Sequence, residues 1–266
     1  MKTYKGNLSI NIQNGKADIA VSCMGNTVYG KNVSLGRSGL LNRIIISKAV
    51  AEVLRKTPSE LVHDIFEKDY FLKKKIEVNR ANKHSSQITV IGLGGCGCNL
   101  VEYAAQKQCE QVYYVVCDAD RQALDSHQFG NKILLDRREN ITSVAKRIVS
   151  KELADNTQTL VISAGMGAGI GSELAPIIAR LAKEKRIRVQ AMVTYPFECA
   201  GKENFAKADH SISELRKYVD DIKVLNNGEM AKQNADCTLS EFFEKGSKAF
   251  LSFVRDAIST STLKLK

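Results

Sequence analysis

The sequence contains no run of about 18 or more consecutive apolar residues, the length that a membrane-spanning helix needs. Its first ten residues include lysines but no apolar stretch of the kind that a secretory signal contains. We therefore expect a cytoplasmic protein without a membrane span.

The spacings typical of disulfide frameworks and metal sites are also missing. The seven cysteines are odd in number and include no paired C-x-x-C, so we expect free thiols. Cys96 and Cys98 form a C-x-C in a glycine-rich loop, which small-residue packing explains better than a metal does. The four histidines show no H-E-x-x-H spacing. We assign no metal ligand and no catalytic residue.

The positive charge of the chain is concentrated near its start. Residues 1–83 carry 15 Lys and Arg against 7 Asp and Glu, a net of +8 out of +10 for the whole sequence. Such a segment suits an acidic surface on a nucleic acid or a protein, although a run such as residues 73–75 is also typical of a solvated helix face.

Residues 1–86 are predicted to form a small α+β segment. Apolar residues alternate over 8–12 and 17–21 around Asn14-Gly15, the signature of a hairpin with a type I′ turn. A loop over 25–39 and a helix over 41–54 follow. A second helix is predicted from Thr57 to about residue 78, because Thr57, Pro58 and Glu60 form a capped helix start. Residues 79–86 are a candidate linker.

From residue 87 onward, strands alternate with helices. This pattern predicts an α/β fold, a Rossmann-like parallel sheet with helices on both faces. The predicted strands are 88–91, 111–117, 159–163, 189–193 and 222–225, and the predicted helices are 99–106, 141–154, 172–183, 206–218 and 239–260.

A first glycine loop lies between a predicted strand and a helix. Gly92, Gly94 and Gly97 form G-x-G-x-x-G, where backbone N–H groups and a helix dipole can bind a phosphate. Asp118 and Asp120 follow the next strand and offer carboxylates to a ribose. These residues alone are equally typical of an NAD enzyme and of other phosphate-binding proteins, and tight strand-to-helix packing is a further interpretation.

A second glycine loop, residues 163–172, again follows a strand and opens a helix. A dinucleotide fold needs only one such loop for its pyrophosphate. Two loops on neighbouring strands predict convergence on a single ligand.

With this second loop the sequence resembles the FtsZ/tubulin family. The first loop resembles GGxGxN, residues 117–124 resemble NTDxQAL, and residues 164–176 resemble AGMGGGTGTGAAP, the tubulin signature. Residues 194–197, 215–220 and 224–227 then resemble TKPF, LRKxVD and VIPN in the same order. Residues 1–86 show no match, so we expect a family nucleotide-binding domain over 87–266.

The resemblance implies a site for GTP or GDP, with Mg²⁺ as a candidate companion. It assigns the α- and β-phosphates to Gly94, Gly95 and Gly97 beside Gly92, and the phosphate tail to Gly165, Gly167, Ala168, Gly169 and Gly171. It assigns the base to Asn99, Asn227 and Phe243, with Phe243 stacking on its face.

Several positions depart from the family pattern. The signature threonine near the γ-phosphate is Ile170, and Glu173 replaces a glycine nearby. Ala200 and Asn204 stand where the family has an acid and an arginine, and Ser247 stands where it has the residue that reads guanine. We expect β-phosphate binding to be better preserved than γ-phosphate binding or guanine selectivity.

The family's acid loop and second domain, which follow the last helix, have no match in these 266 residues. We therefore expect little GTP hydrolysis and action through assembly with a protein partner, either self or an FtsZ-like subunit. Two alternatives stay open: a pseudo-GTPase module that binds no nucleotide, and a NAD- or ATP-using Rossmann-type enzyme.

Overall fold

The computed structural model describes residues 6–13, 16–23, 26–34, 49, 53, 86–107, 112–127, 131–167, 169–234, 237 and 239–262. The strands are β1 (Gly6–Gln13), β2 (Lys16–Cys23), β3 (Asn26–Ser34), β4 (Ile88–Leu93), β5 (Val112–Asp118), β6 (Lys132–Leu134), β7 (Thr159–Gly165), β8 (Arg188–Tyr195) and β9 (Asp221–Asn226). The helices are α1 (Gly94–Gln106), α2 (Arg121–Ser126), α3 (Ile141–Glu152), α4 (Ile170–Glu184), α5 (Lys202–Arg216), α6 (Asn227–Gln233) and α7 (Leu239–Thr262), with a 3₁₀ turn at Glu198–Ala200.

The chain divides into two compact units. The first comprises Met1–Lys74 and Ala231–Phe242, and the second comprises Lys75–Met230 and Phe243–Lys266. No helix in the described part of the chain has the length and apolar character to cross a membrane.

The first unit contains a three-stranded antiparallel sheet in the order β1-β2-β3. The predicted pairing of the first two strands is confirmed, with Gly6 opposite Cys23 and Gln13 opposite Lys16. The loop predicted over 25–39 is wrong for Asn26–Ser34, which pairs with β2 as a third strand. Val, Thr and Tyr residues favour a strand in this segment. The free edge of β2 supplies the hydrogen bonds of β3, and the glycines on which the loop prediction rests do not show that this edge is available.

Ala49 and Val53 are helical and buried, within the helix predicted over 41–54. The turn at Asn14-Gly15, the helix predicted from Thr57 and most of the linker predicted over 79–86 lie outside the described residues.

The second unit is built on a six-stranded sheet in the order β6-β5-β4-β7-β8-β9, and all its pairings are parallel. The prediction of a parallel sheet is confirmed. Because parallel strands need long crossovers, each strand is followed by a helix or loop that returns the chain to the same starting edge. All strand carboxyl ends therefore meet at one edge, called the carboxyl edge below.

Helices cover both faces of this sheet, as predicted. Alternate strand residues such as Ile91 and Leu93 pack against α3, α4 and α5, whereas Val90 and Val116 pack against α1 and the later part of α7. Residues buried on both faces explain why the strands read as continuous apolar runs instead of alternating ones.

Three short elements, α2, β6 and α6, are not predicted by the sequence. Each spans seven residues or fewer, too short for a helical or strand period to show in the sequence. The longer helices also begin earlier than predicted, α1 at Gly94 and α4 at Ile170, because their first turns are the glycine loops themselves.

Asp220, the acid of the segment that resembles LRKxVD, joins two elements of this unit. Its carboxylate accepts hydrogen bonds from the Val189 N–H at 2.8 Å and from the Lys183 ammonium at 2.8 Å. Partial burial works to raise its pKa, but these donors outweigh burial and hold the pKa of Asp220 below its ordinary value. The carboxylate thus satisfies a backbone group at the start of β8.

We expect Asp220→Ala to lower the free energy of unfolding by about 1 kcal/mol at pH 7, because the Val189 N–H loses its acceptor. A lowered folded-state pKa means that this stabilisation is present above the unfolded pKa and is lost as pH falls through the folded value. Urea unfolding at pH 7 and pH 3 measures both effects. The control Glu184→Ala breaks only the exposed Arg180–Glu184 pair and should cost less than about 0.5 kcal/mol. A loss equal to that control would contradict the assignment.

Candidate functional site

The segments that follow β4 and β7 meet the end of β8 at the carboxyl edge of the second unit. The Cys96 thiol in the first glycine loop lies 3.3 Å from the Thr194 hydroxyl at the end of β8. A Cβ atom on Gly94 would lie 3.7 Å from the amide nitrogen of Gly171, so the two glycine loops are adjacent. The predicted convergence of both loops on one place is therefore present in the structure.

The two helices that begin at these loops have no side-chain cap. The N-cap residues are Leu93 for α1 and Gly169 for α4, and neither residue has a side-chain acceptor for the N–H groups of the first turn. By contrast, Asp120 caps α2 and Asn140 caps α3, each accepting two backbone hydrogen bonds. Uncapped first-turn N–H groups at the positive end of a helix dipole form an anion-binding site. Here two such ends lie side by side.

Three of the predicted glycines serve packing. A Cβ atom at Gly97 would lie 2.2 Å from the Ser163 carbonyl oxygen, and one at Gly92 would lie 2.7 Å from the Gly97 carbonyl oxygen. A Cβ atom at Gly171 would lie 2.9 Å from the Gly165 carbonyl oxygen. Because glycine has no Cβ atom, α1 and α4 can pack directly against the strand ends. This is the packing interpretation that the sequence left open.

Three other glycines border open space. Gly94 and Gly169 have φ of 70° and 81°, a region that other residues rarely adopt. A Cβ at Gly169 would meet no atom within 4 Å, and one at Gly95 would meet only the Asp118 Oδ2, at 3.9 Å. The backbone is therefore accessible at Gly94, Gly95 and Gly169, where a phosphate needs to approach it.

Hydrogen bonds within the second loop and from the loop to β8 hold it in place. The Gly167 N–H donates to the Ser172 Oγ at 2.8 Å, and the Met166 N–H donates to the Thr194 carbonyl at 2.9 Å. A Cβ on Gly167 would lie 2.6 Å from Pro196 Cγ, and one on Gly165 would lie 3.0 Å from Cys96 Cβ. Gly165 and Gly167 therefore shape the loop. Ala168 lies outside the described residues.

Asp118 and Asp120 each use one oxygen within their own loop. Asp118 Oδ1 accepts from the Asp120 N–H at 3.0 Å, and Asp120 Oδ1 accepts from the Gln122 and Ala123 N–H groups at 3.0 and 3.2 Å. Asp118 is buried and its Oδ2 faces Gly95. Asp118 therefore faces the first glycine loop, while Asp120 serves α2. The predicted ribose contact of both residues stays a prediction.

The buried Cys98 thiol ties α1 to the strand ends. It donates to the carbonyl oxygens of Gly92 at 3.6 Å and Cys117 at 3.5 Å. Burial, followed by the negative charge of Asp118, raises the pKa of Cys98 to about 12. The thiol is therefore neutral at physiological pH and acts as a packing group.

The three residues predicted to hold a base lie on separate helices. Asn99 is exposed on α1, Asn227 is half-buried at the start of α6, and Phe243 exposes 51% of its surface on α7. The side chain of Asn226 accepts from the Gly228 and Glu229 N–H groups and caps α6. The Asn227 amide does not serve as that cap. Base binding by these three residues stays a prediction.

The residues that depart from the family pattern lie in different surroundings. Ile170 packs against the core of the α3–α5 face, and Glu173 lines a 530 Å³ pocket between α4 and α5. The Asn204 amide donates to the Ala200 carbonyl at 2.6 Å, and the Ser247 hydroxyl donates to the Phe243 carbonyl at 2.9 Å. These hydrogen bonds stay within the protein.

Three residues that position the second loop have no role predicted from the sequence: Ser172, Thr194 and Pro196. The position of Ser172, in the first turn of a helix that follows a glycine loop, indicates such a role, because hydroxyl side chains there accept hydrogen bonds from nearby backbone N–H groups. Thr194 and Pro196 act across strands, which sequence spacing does not show.

The part of the chain that contains both glycine loops matches a known protein family. Residues 87–235 match the model described as Tubulin/FtsZ family, GTPase domain. The cell division protein FtsZ of Buchnera aphidicola subsp. Baizongia pistaciae (strain Bp) is 35% identical over 158 residues, covering 54% of this chain and 41% of that protein. FtsZ of Coxiella burnetii (strain RSA 493 / Nine Mile phase I) is 30% identical over 195 residues, covering 67% and 50%. The chain thus spans at most half the length of these two relatives.

Solved structures agree on the fold. The FtsZ dimer of M. jannaschii has a TM-score of 0.56 at 24% identity, covering 64% of this chain and 53% of that one. CetZ1 from Haloferax volcanii, a GDP-bound monomer, has a TM-score of 0.53 at 14% identity, covering 62% and 58%. The matched family model spans both glycine loops and more than half of the sequence. The chain belongs to the Tubulin/FtsZ family and carries its GTPase domain.

Proposed function

We propose that this chain binds a guanine nucleotide at the carboxyl edge and acts through assembly with a protein partner. The observation that carries the proposal is the pair of uncapped helix starts, α1 and α4, placed side by side. Adjacent N–H groups on two helices suit a chain of two phosphates better than a single anion. The accessible backbone at Gly94, Gly95 and Gly169 supports the same assignment.

The choice of guanine rests on family membership and on the candidate base residues. CetZ1 from Haloferax volcanii, which shares the fold, is described as GDP-bound. In this chain Asn227 offers amide donors and acceptors, and Phe243 offers an exposed aromatic face. A Mg²⁺ ion accompanying the phosphates would take its protein ligand from Asp118, whose Oδ2 faces Gly95.

Little hydrolysis is part of the proposal. The hydroxyl that the family places near the γ-phosphate is absent at Ile170, and Asn204 replaces the arginine while its amide binds Ala200. Positioned acids and bases accelerate proton transfer about 10²- to 10⁴-fold, and we assign no residue of this chain to that role. We expect these 266 residues alone to bind nucleotide and turn it over slowly.

A thermal-shift panel of GDP, GTP, ATP and NAD tests nucleotide binding. A ligand at about 100 times its Kd stabilises the folded state by about 2.7 kcal/mol, which raises Tm by roughly 5–10 °C for a domain of this size. We expect this shift with GDP and smaller shifts with ATP and NAD. A shift with NAD alone would support a dehydrogenase, and no shift with any nucleotide would support a pseudo-GTPase.

Assembly with an FtsZ-like subunit is also part of the proposal. A head-to-tail filament requires two complementary faces, and the nucleotide site proposed at the carboxyl edge would belong to one of them. We expect light scattering of the pure chain with GTP to stay at baseline and to rise when an FtsZ-like subunit is added. Long filaments of the pure chain in negative-stain microscopy would contradict this. The basic residues 1–86 are proposed to add a salt-sensitive contact with an acidic surface.

A further inference from the structure

A groove runs along the free edge of the parallel sheet, between β6 and α3. Its volume is 770 Å³, and Ile133, Leu135 and Ile148 form its apolar floor. The Leu134 side chain is 37% exposed on the same strand. The groove lies beside the Asp118 loop and includes none of the glycine-loop residues.

The rim of this groove is basic. It carries six cationic side chains against the three acids Asp136, Glu139 and Glu152, a net of +3; the cations are Arg121, Lys132, Arg137, Arg138, Arg147 and Lys151.

The three acids already have partners within the protein. Asp136 pairs with Arg138 at 2.7 Å, and that guanidinium holds the pKa of Asp136 at about 2. Glu139 pairs with Arg147 at 3.0 Å, and Glu152 accepts from the Tyr113 hydroxyl at 2.7 Å. Because two of the acids pair with other arginines and the third accepts from a tyrosine, Arg121 and Arg137 can attract an external anion.

The backbone of β6 has unused hydrogen-bonding positions. The Asn131 carbonyl accepts from Val116 N–H at 3.0 Å, and Leu135 N–H donates to the Asp118 carbonyl at 2.9 Å. Because alternate residues of an edge strand bond to the same neighbour, Lys132 and Leu134 direct their backbone groups to the other side. In the described part of the chain, no strand pairs with that side.

We infer that this groove binds an extended acidic peptide segment of another protein, which adds a strand to β6. Main-chain hydrogen bonds to an edge strand supply affinity, and the rim selects the charge of the partner. A nucleic acid fits less well, because none of the lining residues is aromatic and base stacking has no platform. None of the lining residues belongs to either glycine loop, so the inference does not rest on nucleotide binding.

Fluorescence anisotropy with the whole chain and no nucleotide tests the inference. The probes are labelled eight-residue peptides that alternate Glu with Val, or Lys with Val. We expect the Glu-Val peptide to bind at least tenfold more tightly at low salt. Two further Glu-Val peptides carry N-methyl groups on either the odd-numbered or the even-numbered backbone nitrogens. One of them should lose binding and the other should keep it, because only one of the two sets of N–H groups faces β6. Equal loss of binding by both peptides would overturn strand addition.

Charge reversal on the protein tests the rim. Arg121→Glu combined with Arg137→Glu should weaken the Glu-Val peptide about tenfold or more. The matched control, Lys146→Glu with Arg216→Glu, makes the same charge change at exposed positions outside the groove and should weaken it less than threefold. Equal weakening by both pairs would overturn the assignment. So would an oligothymidine of equal charge that binds as tightly as the peptide.

Discussion

Replacing Gly95 with alanine should leave the protein folded and lower its affinity for GDP at least tenfold. Gly95 lies exposed in the first turn of α1, where alanine favours the helix by up to about 1 kcal/mol. The new methyl group would occupy the space through which a phosphate reaches the first-turn N–H groups. Gly95→Leu should abolish binding, again without unfolding. Isothermal titration gives the affinity, and thermal melting of the free protein reports the fold.

The matched control is Gly97→Ala, two residues further along the same helix. Its Cβ would lie 2.2 Å from the Ser163 carbonyl oxygen, a backbone atom that has no room to move. We expect a loss of about 3 kcal/mol or more in the free energy of unfolding. Nucleotide binding that is unchanged in Gly95→Leu would place the phosphates elsewhere and refute the proposed site. A stable Gly97→Ala protein would refute the packing role of Gly97.

Gly95 and Gly97 show how much of the site can be predicted from the sequence. The G-x-G-x-x-G segment correctly predicted a strand followed by a helix, and the second glycine loop on a neighbouring strand correctly predicted that the two loops meet. The spacing did not distinguish Gly97, which packs against β7, from Gly95, which borders open space. That difference depends on Ser163, a residue far along the chain that reaches Gly97 only when β4 and β7 pair. Spacing along a sequence carries no information about such a contact.

The same limit explains the other differences. The sequence predicts a ribose contact for Asp120 because this residue follows a strand, and it does not predict the helix that begins at Arg121. In the structure Asp120 Oδ1 accepts hydrogen bonds from the Gln122 and Ala123 N–H groups and caps that helix, a role that the same residue type supports. The ribose contact stays a prediction. Long amphipathic helices and buried strands were predicted well because their period repeats over many residues.

The unaltered chain should bind GDP at least as tightly as GTP. Ile170 directs an apolar side chain into the core where the family has a hydroxyl, and Glu173 adds negative charge to the first turn of α4. A γ-phosphate therefore gains no donor from Ile170 and meets a nearby carboxylate. Because the γ-phosphate carries more charge towards that turn, the repulsion acts more on GTP than on GDP. Isothermal titration with each nucleotide measures the ratio of the two dissociation constants. Tight GTP binding without GDP binding would contradict this prediction.

Restoring the family hydroxyl at position 170 and removing the carboxylate at position 173 should reverse this order. We expect Ile170→Thr combined with Glu173→Gln to raise GTP affinity about tenfold and to change GDP affinity less than threefold, since about 1 kcal/mol of repulsion is removed and one hydrogen-bond donor is gained. The control Glu203→Gln removes an exposed acid from the first turn of α5 and should change neither affinity. Phosphate release should stay far below about one per second in both proteins, because the two substitutions improve binding without supplying a group that activates water. An equal gain for both nucleotides would show that the charge of Glu173 acts on the shared diphosphate, and would place the γ-phosphate away from the start of α4.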